Sequence, residues 1–228
     1  MDDRRRAGAD SRADPEPSAR PRFSEALWQI DWPALLPRPV TQDGVTVEWS
    51  SFERSLPFIT ANYGAIFEDD PGSPFVTKVS DAKARYYREA GDFFEFVHRG
   101  RTVGLLVGTP VDWSTYYVRS AAALPEYQGR KIVQRFFPFL FEQLKAAGVE
   151  RVEADTSPAN MATLHLLTRL RFNVTGTVLS ERWGAHVHFT KFLDEGSEGV
   201  FLNQFCAGVK YQLRKDDCGG THKERNQS

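Results

Sequence analysis

The stretch Leu124-Pro125-Glu126-Tyr127-Gln128-Gly129-Arg130-Lys131-Ile132-Val133 decides how the chain folds. It leaves a run of strand character at 113–124 and opens onto Val133, Phe136, Phe137, Leu140, Phe141, Leu144 and Ala147, which stop at Gly148. Apolar residues three and four apart bury one side of a helix, so a strand, a glycine-bearing turn and a long helix beginning near Gly129 succeed one another. Pro138 deletes the bond to the Gln134 carbonyl within that helix, and a bend is expected there.

Outward from this junction, strands and helices alternate. Residues 45–49 alternate as a strand. Phe52, Leu56, Ile59, Tyr63 and Ile66 or Phe67 then recur at helical spacing, with Pro57 near the start, where proline is tolerated. A weaker helix is expected over 81–90, closing at Gly91, and two apolar runs at 93–98 and 102–108 flank Arg99-Gly100 as a hairpin. Downstream, 150–155 reads as a short strand, and Ser157-Pro158 as the cap and first residue of a helix reaching about Arg171. The inner face of that helix holds Leu164, Leu167 and Leu170. Segments 174–179 and 183–192 close as strands, and 200–213 forms an amphipathic element with Phe201, Phe205 and Val209. An early antiparallel hairpin among alternating strands and helices predicts an α/β fold, a mixed central sheet flanked by helices in a single domain.

Composition bounds the function. The 228 residues are 41% hydrophobic and 13% aromatic, enough for one real core. The 29 basic and 30 acidic side chains leave a net charge of −1, so no global field recruits nucleic acid or an anionic membrane. The two cysteines, Cys206 and Cys218, have no metal-ligand spacing, and no apolar run approaches the ~18 residues of a membrane span. A cytoplasmic location is expected. Residues 1–22 and 214–228 read as disordered tails, 23–193 as the domain, and 194–213 as an extension whose apolar face has its own domain or a twin, in a homodimer, to pack on.

The stretch 124–130 resembles the acyl-CoA-binding motif of the GNAT superfamily of N-acyltransferases, Arg/Gln-x-x-Gly-x-Gly/Ala, with Gln128 leading. Asn160 followed twelve positions later by Phe172 matches a second family signature, and the similarity covers 45–193. The resemblance implies acetyl-CoA, or another acyl-CoA, as co-substrate, with helix-start amides and the helix dipole binding the pyrophosphate. The implied cofactor-binding residues are Ala121, Ala123, Gln128, Gly129, Arg130, Lys131, Ile132, Val133 and Asn160. The acceptor it implies is a primary amine of a small molecule or protein. Three departures stand out: Lys131 and Val133 replace the family's small loop residues, and Leu167 replaces the tyrosine that commonly protonates the thiolate. These departures suit two alternatives, an acyl carrier protein as donor, or a catalytically silent module that binds a ligand or partner.

In the family the amine attacks a thioester held between two splayed parallel strands, here those near 120–124 and 150–155. A base must take the ammonium proton. Glu153 and Asp155 share one strand face and are the candidates, with His186 and His188 as alternates that titrate near neutrality. Two acids at a strand end are equally the pattern of a solvated face. The His-x-His pair has no third partner at metal spacing, so no metal site is expected. The phenylalanines of 136–141 read as core rather than as a lipid groove.

Overall fold

The computed structural model describes residues 23–67, 80–180 and 184–205. The tails, the side chains of Tyr63, Ile66 and Phe67, Trp183 and Val209 lie outside the described residues. The elements are α1 (Phe23–Trp28), α2 (Trp32–Leu35), β1 (Arg38–Pro39), β2 (Val45–Ser50), α3 (Phe52–Phe67), α4 (Asp81–Ala90), β3 (Asp92–His98), β4 (Arg101–Pro110) and β5 (Thr115–Ala123). Then come α5 (Ile132–Ala146), β6 (Arg151–Thr156), α6 (Met161–Arg169), β7 (Asn173–Ser180), β8 (Gly184–Phe192) and α7 (Glu195–Phe205). The strands form one mixed sheet in the order β1-β2-β3-β4-β5-β6-β8-β7. Every neighbouring pair is antiparallel except β5 and β6. Among the described residues, no helix is long and apolar enough to cross a membrane.

Alternation along each strand assigns its side chains to two layers. Phe94, Phe96, Leu106, Tyr116, Val152 and Phe189 face α5 and α6, where Phe136, Phe137, Leu140 and Leu144 complete the larger core. Phe136 meets Phe94 and Phe96 at ring separations of 5.1 and 5.8 Å. Phe93, Leu105 and Val107 face the other way and pack with Phe52 of α3 and Ala84 of α4. Glu95 shares that second face, buried, and is held by hydroxyl donors: Ser50 and Ser55 at 2.7 and 2.8 Å, and Thr102 at 2.7 Å. A buried carboxylate is tolerated only with such partners.

Several boundaries differ from the sequence reading. Helix α6 is capped by Asn160, whose Oδ1 accepts from the Thr163 amide at 3.0 Å, and not by Ser157, whose Oγ accepts from the Ala159 amide in the preceding turn. Pro57 lies in the second turn of α3 rather than near its start, so the Glu53 carbonyl loses its helical donor. Helix α5 begins at Ile132 and runs on through Pro138. Helix α7 begins at Glu195, upstream of the expected 200, because the Asp194 carboxylate accepts from the Ser197 amide at 2.7 Å and hydroxyl at 2.9 Å. Its Phe201 packs 5.3 Å from Phe192 of β8, on its own domain. The short elements α1, α2 and β1 had no periodic signature; Trp28 and Trp32 anchor them in the larger core.

Candidate active site

The parallel pair defines the site. Its register runs Thr115↔Arg151, Tyr116↔Val152 and Tyr117↔Glu153, and goes no further. Beyond that rung, Val118 and residues 120–123 of β5 stay paired only with β4, and 154–156 of β6 only with β8. The cause is visible on the β4 side, where Val107 pairs with Ser120 but Gly108 pairs with Val118, leaving Arg119 as the extra residue of a bulge. A bulge bends its strand and sharpens its twist, and here it carries β5 away from β6.

After β5 the chain makes a short 3-10 turn, Pro125–Tyr127, and enters α5 through two residues of positive φ, Gly129 at +77° and Lys131 at +60°. Lys131 is exposed and makes no side-chain cap, so the first-turn amides of α5 are not occupied by a side chain. The bulky residues of the turn do not plug it. Ile132 and Val133, 2% and 9% exposed, turn into the core and leave only backbone to face a ligand. Arg130 lies over the Tyr127 ring at 4.6 Å, and the Tyr127 hydroxyl is 2.8 Å from His98 Nδ1. Gln128 is exposed and donates to the Ala123 carbonyl at 3.4 Å, while Ala121 and Ala123 are half-buried on the parted strand. Asn160 spends its side-chain oxygen on its own helix.

On the α3–α4 face, at the last shared rung, four polar side chains converge. The Tyr117 hydroxyl donates to Asp155 Oδ2 at 2.7 Å, and His188 Nδ1 lies 2.5 Å from Asp155 Oδ1. His188 Nε2 is 3.7 Å from Glu153 Oε2, and Glu153 also meets Arg151 at 3.4 Å. Register explains the assembly, since Tyr117 is paired with Glu153 across β5–β6 and Asp155 with His188 across β6–β8. Burial, and then the Asp155 carboxylate it donates to, pushes the Tyr117 phenol well above its usual pKa, so it stays a neutral donor. Asp155 engages the Nδ1 side of the His188 ring, which leaves Nε2, beside Glu153, as the nitrogen able to exchange a proton with an acceptor.

Glu153 and Asp155 therefore stand together, and with His188 rather than His186, whose side chain shares the face but makes no hydrogen bond or ion pair among the described residues. Tyr117, Arg119 and Tyr86 were missed. The Arg119 guanidinium donates from Nε to the Thr109 hydroxyl at 3.0 Å and from Nη2 to the Tyr86 hydroxyl at 2.9 Å, and lies over the Tyr117 ring at 4.6 Å. The parity of strand alternation puts Tyr117 opposite the buried Tyr116, but only the β5–β6 register brings it to Asp155. Leu167 is 2% exposed within the core, so the position of the family tyrosine supplies no proton. Among the described residues, no three His, Cys, Asp or Glu side chains are grouped to hold a metal ion.

The model of the Acetyltransferase (GNAT) family matches residues 48–172, more than half of the chain, and spans the parted strands, the turn and α6. The chain belongs to the GNAT acetyltransferase family. It is an acetyltransferase. Among solved structures, this acetyltransferase is similar in fold to the yncA protein of Salmonella typhimurium, determined with its cofactor acetyl-CoA, at a TM-score of 0.53, 18% identity, and coverage of 67% of this chain and 95% of that one. It is also similar to the ribosomal-protein-S18-alanine N-acetyltransferase of Escherichia coli, at a TM-score of 0.52, 16% identity, and coverage of 65% and 94%. No curated protein matches.

Proposed function

We propose that this acetyltransferase transfers an acetyl group from acetyl-CoA to a primary amine of a small molecule or protein, by direct attack where β5 and β6 part. One observation carries the reading: the last rung of the parallel ladder, Tyr117↔Glu153, coincides with the His188–Asp155 pair. The residues fit the co-substrate, because the turn presents uncapped amides with Arg130 and Lys131 beside them, and the strands are open. Acetyl-CoA supplies an electrophilic thioester carbonyl. The nitrogen gives up two protons as its bond to the carbonyl carbon replaces the C–S bond: one passes through His188, and the other leaves with the CoA thiol. His188 Nε2 accepts a proton from the ammonium, Asp155 holds the Nδ1 proton and steadies the imidazolium, and Glu153 adds negative charge beside the acceptor. The unpaired β6-side edge of residues 118–123 faces the developing oxyanion.

The test follows thiol release with pH. H188Q is expected to lower kcat by about 100-fold or more, and D155N to lower kcat and displace the ascending limb of its pH profile. A loss in H186Q with H188Q unaffected would move the base to His186 and overturn the assignment. A second reading, favoured by Lys131 and Val133 at the family's small loop positions, takes the acyl group from acyl carrier protein. Calorimetric titration with acetyl-CoA, CoA and acyl carrier protein separates the donors.

A further inference from the structure

Arg119 has a position and a set of partners that acetyl transfer alone does not explain. It is the extra residue of the β5 bulge, just past the rung where the strands separate. Bulges re-aim side chains, and this one sends an arginine onto the same face as the His188–Asp155 pair. The partners that hold it are neutral: the Thr109 hydroxyl, the Tyr86 hydroxyl and the rings of Tyr117 and Tyr86. Neighbouring charges are spent elsewhere, Arg151 on Asp112 and Glu153, and Arg88 on Glu53. No carboxylate pairs with Arg119 among the described residues, and it is exposed. Of the five guanidinium N–H donors, two are used, which leaves three. Such a guanidinium is fixed in direction yet not neutralised, and its fork matches an oxyanion.

Tyr117 sets the spacing. Its ring lies under Arg119, and its hydroxyl reaches Asp155, which holds His188. A cation and a base-carboxylate pair thus stand one tyrosine apart, the complement of a molecule with an amine at one end and an anion at the other.

We propose that Arg119 clamps the anionic end of the acceptor, and that the acceptor is a small amine carrying a carboxylate or phosphate a few bonds from its nitrogen. The inference rests on the amine-acetylation reading above and narrows its acceptor. The test measures acetyl transfer to matched pairs: α-amino acids against their amides, and aminoalkyl phosphates against the corresponding amino alcohols. The acidic member of at least one pair is expected to be favoured in kcat/KM by roughly 10- to 100-fold, the worth of a charge-assisted pair. The better pair tells carboxylate from phosphate. R119Q is expected to erase the preference by raising KM for the acidic member, and R119K to restore part of it. Equal kcat/KM within every pair of the parent enzyme overturns the clamp and leaves amine acetylation standing; this arm needs no variant to fold. A preference that survives in folded R119Q also overturns it. Acetyl-CoA binding with no transfer to any amine overturns amine acetylation, and the clamp with it.

Discussion

Lys131 shows how one side chain can occupy a position that the family gives to a small residue. Its φ of +60° lies in the left-handed region, which disfavours a residue with a Cβ. K131G removes that strain but adds freedom to the unfolded chain, so stability should stay within about 1 kcal/mol of the parent by urea unfolding. The charge is a separate matter. K131E should raise the Kd for acetyl-CoA several-fold at low salt, and the gap should shrink as salt screens an exposed site. An unchanged Kd at low salt would remove Lys131 from the phosphate site. Tyr117 carries the pH prediction. Its phenol is raised in the folded protein, so its stabilising effect is complete below the ordinary tyrosine pKa of about 10 and is lost as pH climbs toward the folded value. Y117F should therefore keep more of its stability than the parent in alkaline urea titrations.

Among the elements, β4 and β5 are bound by an exact fit. A Cβ on Gly108 would sit 2.1 Å from the Tyr116 hydroxyl, and Tyr116 is fully buried. G108A should cost about 2–3 kcal/mol in chemical denaturation, because the ring has nowhere to retreat. Helix α7 depends instead on its cap. The Ser197 amide and hydroxyl hold the Asp194 carboxyl below the usual range, so capping persists above that range and is lost as pH falls through the lowered value. D194A should speed hydrogen exchange in α7 at neutral pH, with the difference shrinking in acid. What could be read in advance follows the same division. Helix α5 was legible because its signal is local and continuous, from Val133 through Leu144. The choice between Ser157 and Asn160 was not, since both are good caps three residues apart and packing decides between them. The pairing of Tyr117 with Asp155, and the placing of Arg119, depend on a crossover register and a bulge that no local periodicity encodes. Glu153 and Asp155 were recognisable as one face; the histidine that joins them required β8 to be in place.

The whole molecule has two apolar clusters, one on each side of a single sheet, and β3 and β4 contribute to both. Shared strands should make unfolding one cooperative event. F136A, on the larger side, and F93A, on the smaller, should each cost about 3–5 kcal/mol and lower the midpoint without changing the urea slope. Separate transitions by circular dichroism and tryptophan fluorescence would contradict this coupling. The early halt of the β5–β6 ladder has its own effect at this scale. A guest that wedges between these strands beyond the last shared rung ruptures no backbone bond of the host, so admission needs no unzipping and the doorway is built into the sheet.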